Sequence, residues 1–325
     1  MSKTKDIIKL SIEQLQEFLT SFDTVMCDID GVLWQLNQPI EGASESLKIL
    51  QNLGKQVYLI TNNSTKTSEN FYKSPQCISL NLSSDHIINP IKSIVWYLKK
   101  IDFRDEVFAI VPSISRKIFR EAGIRLTEQP NVSETSPSAT VKEVLDRPSV
   151  KAVVVDFDIN WNWSMLALAI SCLQRKDVLY IAGPTDEWFQ VQALPQIKVL
   201  GPGPLLNVIS AQSGREPISC AKPSQILKDY VLDKCNVTNL KKCLFIGDTV
   251  NQDMKFASMC GFIKLFVGTG CDTLEQAQKE DDTCPDYYLP SLGQLFSDLT
   301  IQNVNVSSIT KIVDNSCSDR EEINN

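Results

Sequence analysis

The chain has 325 residues, room for about two domains, and its 43% hydrophobic and 22% charged content is an ordinary globular balance. A formal net charge of −7 and a pI near 5.0 argue against nucleic acid as the main partner. No run of about 18 apolar residues exists to span a membrane, and the polar start "MSKTKDIIKLSIEQLQEF" lacks the apolar stretch of a secretory signal.

Taken in order, "SIEQLQEFL" predicts a first helix, with Ser11 as N-cap and Gln14 three residues on completing a capping box. An apolar strand follows at 25–27 and runs straight into Asp28 and Asp30. Next come a helix over about 43–53 and a strand "QVYLIT" ending at Thr61. "NNSTKTSENFY" then reads as a polar turn feeding a helix. His86, the only histidine, sits where a helix should start and reads as a surface or capping residue. The middle holds strands at 106–111, 151–158 and 178–182, separated by helices such as "SMLALAISCLQRK" and by Pro- and Ser-rich stretches. Beyond it, "PSQILKDYVLDKC" is helical and "CLFIGD" a strand. "NQDMKFASMCG" is a helix closing on Gly261, and "IKLFV" is another strand.

Strands alternating with helices imply right-handed crossovers and a parallel, doubly wound α/β sheet. The expected organisation is a discontinuous core, 1–104 and 217–300, with a second α/β unit inserted at 105–216. The polar tail, 301–325, is expected to be disordered. The ten cysteines are scattered, with no CxxC pair, which favours free thiols and a cytoplasmic protein over a disulfide framework. One histidine removes His-based zinc sites and argues against a Ser-His-Asp triad, so any catalysis falls to carboxylates, hydroxyls and lysine.

Four polar clusters lie at strand ends or beside helix starts: Asp28 with Asp30, Thr61-Asn62-Asn63, Lys222-Pro223, and Asp248 with Asp253. Ligands of open parallel sheets bind outside the carboxyl ends of the strands. Several carboxylates crowded there would raise one another's pKa unless a hard cation neutralised them. Oxygen ligands without histidine suit Mg²⁺, which prefers a phosphate as partner. Thr61, the backbone N–H groups of the next helix and Lys222 are the groups to hold that phosphate. Taken singly, Asp28 reads as a capped strand end, Lys222 as a solvated lysine and Asp253 as a first-turn helix carboxylate.

In this order "DIDGV", "LITNNS", "AKP" and "IGDTVNQD" resemble the four motifs of the haloacid-dehalogenase-type phosphatases. With "PDYYLPSL" they are similar to the branch holding 4-nitrophenylphosphatase, phosphoglycolate phosphatase and pyridoxal phosphatase, over about 11–299. The resemblance implies a Rossmann-like core, a C2-type α/β cap and a homodimer joined through the caps. It makes Asp28 the nucleophile that forms an aspartyl-phosphate and Asp30 the acid and base. Mg²⁺ would be held by the carboxylates of Asp28 and Asp248 and the carbonyl of Asp30. Thr61 and Asn62 would grip the phosphoryl oxygens, with Asn63 beside them. Lys222 would neutralise the transition state, and Asp253 would orient Lys222 or the metal's waters. The family's glycine before the Lys-Pro pair is Ala221 here.

Only 31 residues separate Asp30 from Thr61, while 161 separate Thr61 from Lys222, far more than one crossover needs. The roof over the site is therefore the inserted unit, and a lid of that size favours small-molecule phosphomonoesters. The match weakens in this unit. Where relatives resemble "VGxDxxFxY" the chain reads "VDFDINWNW", with Asp156 in place of glycine, and "ATNxD" has become "AGPTD". Phe157, Asp158, Asp186, Trp188 and Phe189 are the cap candidates for substrate contact, while Trp161 and Trp163 read as cap core. Substrate preference stays open between phosphoglycolate or 4-nitrophenyl phosphate and pyridoxal phosphate. A phosphate-binding member with weak turnover is the rival, and the acid Asp30 argues against it. A phosphorylatable receiver is a second rival, countered by the long insertion.

Overall fold

The computed structural model describes residues 4–35, 38–130, 137–190 and 198–296; the tail from 301 lies outside them. The chain divides into two compact units. One holds the residues up to Ile60, Ser68–Ile87 and those from Asn236 onward; the other holds Thr61–Thr67 and Ile88–Cys235. The sequence places the insertion at 105–216. The second unit also takes in the Pro90–Lys100 and Gln225–Lys234 helices, which pack on each other through Trp96 and Tyr230.

The seven-stranded sheet runs in the order Lys5–Asp6, Tyr287–Leu289, Ile263–Val267, Cys243–Gly247, Thr24–Cys27, Gln56–Ile60, Ile87–Ile88. The pairings from Lys5–Asp6 through Gln56–Ile60 are parallel. Period-two alternation sorts its side chains onto two faces. Val25, Cys27, Val57, Leu59, Leu244, Ile246, Leu265 and Val267 join one core with Phe18, Leu19, Leu47 and Leu50 of the first two helices. On the opposite register Phe245 meets Phe256 edge-on, and Phe266 packs with Met254 and Ala277. Runs such as "CLFIG" are buried throughout, as a sheet covered on both faces requires.

The first helix, Ile12–Thr20, carries the capping box expected of Ser11 and Gln14. The segment expected as one helix before Gly261 is a π turn, Val250–Met254, leading into an α-helix, Lys255–Cys260, and Gly261 closes it at φ 76°. His86 ends a short 3₁₀ turn, where its Nδ1 accepts the N–H of Ser83, a capping role.

The second unit has its own five-stranded parallel sheet, ordered Ile218–Ser219, Leu179–Ala182, Val150–Val155, Glu106–Ile110, Arg125–Leu126. Phe108, Ile110, Val153, Val155 and Tyr180 face the Trp163–Leu173 and Gly203–Ser213 helices. Val107, Ala109, Ala152, Val154 and Ile181 face Ile91, Ile94 and Leu98 of the Pro90–Lys100 helix, with Phe119 beside them. Trp161 and Trp163 correct the sequence reading: they are 39% and 63% exposed rather than cap core. Trp163 opens its helix directly after the Asn162 cap, so its side chain points off the first turn instead of into the sheet. Among the described residues no helix is long and apolar enough to cross a membrane, and no disulfide joins the nine cysteines found there.

Candidate active site

In the first unit the acidic centre is built by two neighbouring parallel strands. Cys27 pairs with Ile246, so the chains leave the sheet side by side, one into Asp28 and the other through Gly247 into Asp248. The Asp28 N–H still donates to the Ile246 carbonyl at 2.8 Å, a last rung of the ladder that fixes where its side chain starts. Asp253, from the π turn, completes the group: one oxygen of each of Asp28, Asp248 and Asp253 lies within 4.8 Å of the others, and all three residues are buried.

Asp253 holds the loop that carries Asp248. Its Oδ2 accepts the N–H groups of Asp248 and Thr249, both at 3.1 Å, and the Thr249 hydroxyl at 2.7 Å. Removing that acceptor strands two main-chain donors, that of Asp248 buried and that of Thr249 partly so. Asp253→Ala is therefore expected to cost about 2–4 kcal/mol even with all metal chelated. Urea unfolding in EDTA measures it, and a loss seen only with metal present would assign Asp253 to the ion instead.

The donor set fits a hard cation: the buried carboxylates of Asp28 and Asp248 offer oxygen atoms only, in a space that backbone without side chains keeps open. A Cβ at Gly31, where φ is +91°, would sit 2.6 Å from Asp248 Cγ, and one at Gly270 would overlap the Asp248 carboxylate itself. The Gly270 segment also supports the site, since the Cys271 N–H donates to Asp248 Oδ2 at 3.0 Å and the Thr269 hydroxyl donates to the Gly31 carbonyl at 2.6 Å.

Asp30 differs from its neighbour two residues back. It is exposed, and its Oδ1 accepts the indole N–H of Trp34 at 3.0 Å. Trp34 is itself buried, stacked on Phe71 with ring centroids 6.0 Å apart. The tight turn from Ile29, which closes with the Gly31 N–H on the Trp34 carbonyl, folds the indole back under the carboxylate. Two carboxylates of one motif thus face different surroundings: Asp28 lies among buried acids, and Asp30 in solvent on a fixed donor.

In the second unit, Thr61 and Lys222 are buried and tied to one turn. The Thr61 N–H donates to Ile88, and its hydroxyl accepts the Asn63 N–H at 2.9 Å, which leaves the hydroxyl proton to donate. Asn63 Oδ1 accepts both the N–H and the hydroxyl of Thr65. Asn62 reads the Lys222 backbone from both sides: its Oδ1 accepts the Lys222 N–H at 2.9 Å and its Nδ2 donates to the Lys222 carbonyl at 3.1 Å. The Lys222–Pro223 bond is cis, and Ser224 then caps the Gln225–Lys234 helix.

The cap candidates gather at two adjacent strand ends of the second sheet, where Val155 pairs with Ala182. Phe157 and Asp158 follow one strand; Asp158 Oδ1 accepts the Asn160 N–H and caps that turn. Asp186 and Trp188 follow the other; the Asp186 carbonyl accepts the Gly203 N–H, and Trp188 is exposed. Phe189 lies in the short strand Trp188–Gln190, and its side chain is outside the described residues. The sequence reading assigned no role to Trp34, Ser64 or Gly270. The "GTG" after the Ile263–Val267 strand was the one local signal for the last of these.

The parallel sheet with an acidic centre at its strand ends is the arrangement that the haloacid dehalogenase resemblance implies. The haloacid dehalogenase-like hydrolase family model matches residues 25–125 and a second HAD-hydrolase-like model matches 219–295, together more than half of the chain, which belongs to that family. Among curated relatives it is similar to 4-nitrophenylphosphatase of Schizosaccharomyces pombe, with 27% identity over 88% of this chain and 97% of that protein. Similarity to chloroplastic phosphoglycolate phosphatase 1A of Arabidopsis thaliana is 26%, over 88% of this chain and 80% of the relative. The fold is that of the solved 4-nitrophenylphosphatase from Thermotoga maritima, at a TM-score of 0.71 and 21% identity over 85% of this chain and 97% of the other.

Proposed function

We propose that the chain is a Mg²⁺-dependent phosphatase that hydrolyses small phosphomonoesters through an aspartyl-phosphate on Asp28. The carrying observation is the contrast within "DIDG": Asp28 buried beside Asp248 and Asp253, Asp30 exposed and fixed by Trp34. An Asp28 oxygen attacks phosphorus as the bond to the leaving oxygen breaks, and the Asp30 proton goes to that oxygen. Asp30, now ionised, takes a proton from water as the water attacks the phosphoryl group. Inorganic phosphate leaves, and Asp28 is free again. Asp28 and Asp248, with the Asp30 carbonyl, are the groups to hold Mg²⁺, which when bound supplies charge neutralisation for the transferring phosphoryl group. The grip of Thr61 and Lys222 on the phosphoryl oxygens rests on the order of the motifs, and Asn62 serves by holding the Lys222 backbone.

The test is phosphate release, with Mg²⁺, from 4-nitrophenyl phosphate, phosphoglycolate and pyridoxal phosphate. A wild type no faster than Asp28→Asn on the whole panel would end the proposal. Phosphoglycolate and 4-nitrophenyl phosphate are the preferred candidates because relatives carry those names. A cytoplasmic location belongs to the same reading, supported by the scattered cysteines with no CxxC pair. So does a homodimer joined through the cap at 105–216, for which sedimentation gives the mass.

Trp34→Phe keeps a ring on Phe71 but removes the indole donor to Asp30 Oδ1. Hydrogen bonds to charged groups contribute about 1.5–3 kcal/mol, so kcat is expected to fall about tenfold on an alkyl phosphate. The fall should be smaller on 4-nitrophenyl phosphate, whose leaving group needs little protonation. Equal losses on both substrates would place Trp34 in the fold alone.

A further inference from the structure

Asp156 is a carboxylate that the proposed chemistry does not use, and it occupies an expensive position. It is 0% exposed, its Oδ2 has no hydrogen-bond partner, and burial pushes its carboxyl up to about 6 against the opposing pull of its hydrogen bonds. A buried polar atom without a partner costs stability, so its presence here calls for a reason. Its Oδ1 accepts two donors at 2.6 Å: the Phe157 N–H and the hydroxyl of Ser64, itself buried.

Ser64 belongs to the turn that holds Thr61, Asn62 and Asn63, and the same turn is fixed at its other side by the Asn62–Lys222 backbone pairing. The Lys222 segment is anchored close by: the Cys220 N–H donates to the Ala182 carbonyl, and burial, then the Asp156 charge, push the Cys220 thiol up. Gly183 leaves the room the carboxylate fills, since a Cβ there would sit 2.7 Å from Asp156 Cγ. All these residues lie in the second unit.

We propose that Asp156 is a positioning residue for phosphate recognition: through Ser64 it locks the 61–65 turn, and with it the Asn62–Lys222 pairing, in the conformation that receives phosphoryl oxygens. The inference rests on the phosphatase reading. It assigns the effect to a grip on phosphate that is the same in the ground and transition states, because Asp156 touches the turn and none of the groups proposed to react.

The test combines Ser64→Ala, Asp156→Gly, the double variant and Asp156→Asn, in full-length protein with Mg²⁺. The two single variants should raise KM for 4-nitrophenyl phosphate, and the dissociation constant for inorganic phosphate, about tenfold each with kcat within about twofold. The double variant should be no worse than the worse single one, since both cut one link. Asp156→Asn, which keeps the oxygen acceptor, should restore most of the affinity. Amide exchange over 62–65 should quicken in Ser64→Ala, a conservative change that keeps the measurement open if Asp156→Gly fails to fold. Lowered thermal stability with unchanged KM and phosphate affinity, or additive effects in the double variant, overturns the inference alone. Wild type that neither releases nor binds phosphate overturns the phosphatase reading and the inference together.

Discussion

Asp28→Asn is expected to lower kcat roughly 10⁴-fold on every phosphomonoester that the wild type hydrolyses, because the amide cannot supply the attacking oxygen. The substitution is nearly isosteric, and in EDTA it removes one of three clustered buried carboxylates. Like charges in such a cluster oppose one another, so the metal-free variant should be at least as stable as the wild type. Mg²⁺, in contrast, should raise the melting temperature of the wild type more than that of the variant, since a ligand that binds only the folded state stabilises it by mass action. Lost turnover with intact folding and a smaller Mg²⁺ shift separates a missing nucleophile from a damaged fold. A variant that melts well below the wild type in EDTA would contradict this account of the cluster.

Gly270→Ala is the second large effect, and it reaches the same centre without changing any charge. Its added methyl would overlap the Asp248 carboxylate, whose Oδ2 is held by the Cys271 N–H in the next residue. Either the carboxylate turns or the 268–271 segment retreats, and in both cases a ligand that must be held closely is displaced. Changes to the groups that orient metal ligands typically cost 10–100-fold in metal affinity. The Mg²⁺ concentration giving half-maximal activity should rise by about that factor, with kcat at saturating Mg²⁺ falling less. Gly261→Ala is the comparison, because nothing stands within 4 Å of its added Cβ although its φ is +76°. It should cost about 1 kcal/mol of stability, from the left-handed backbone, and leave the Mg²⁺ dependence alone. Equal Mg²⁺ curves for Gly270→Ala and wild type would show that Gly270 does not shape the ion's site.

What was legible in the sequence was what local chemistry decides. Ser11 and Gln14 lie three residues apart and cap one helix end, so the signal and the structure share one turn. Continuous apolar runs such as "CLFIG" marked buried parallel strands because only strands covered on both faces need them. Asp28 and Asp248 were placed together from far apart because parallel pairing sends both strands out at one edge. The parts that escaped depend on three-dimensional neighbours. Ser64 and Asp156 are 92 positions apart, and nothing near either one announces the other. Asp156 stood out only as a departure from the family pattern. Trp34 was visible as part of "DGVLW", yet its duty to Asp30 comes from a turn that folds the indole back. Trp161 and Trp163 were misread because aromatic type suggests burial, while their place around a helix start leaves them exposed.

Asp28 is proposed to carry the phosphoryl group between substrate and water. Asp30→Asn is expected to slow the second step by removing the proposed base, so rapid acid quench of that variant with 4-nitrophenyl phosphate and Mg²⁺, followed by peptide mass spectrometry, looks for the intermediate directly. A phosphorylated peptide containing Asp28 is expected, formed as the nitrophenol burst appears and absent when Asp28 is also changed to Asn. A nitrophenol burst with the phosphoryl group on another residue, or steady turnover by Asp28→Asn alone, would contradict it.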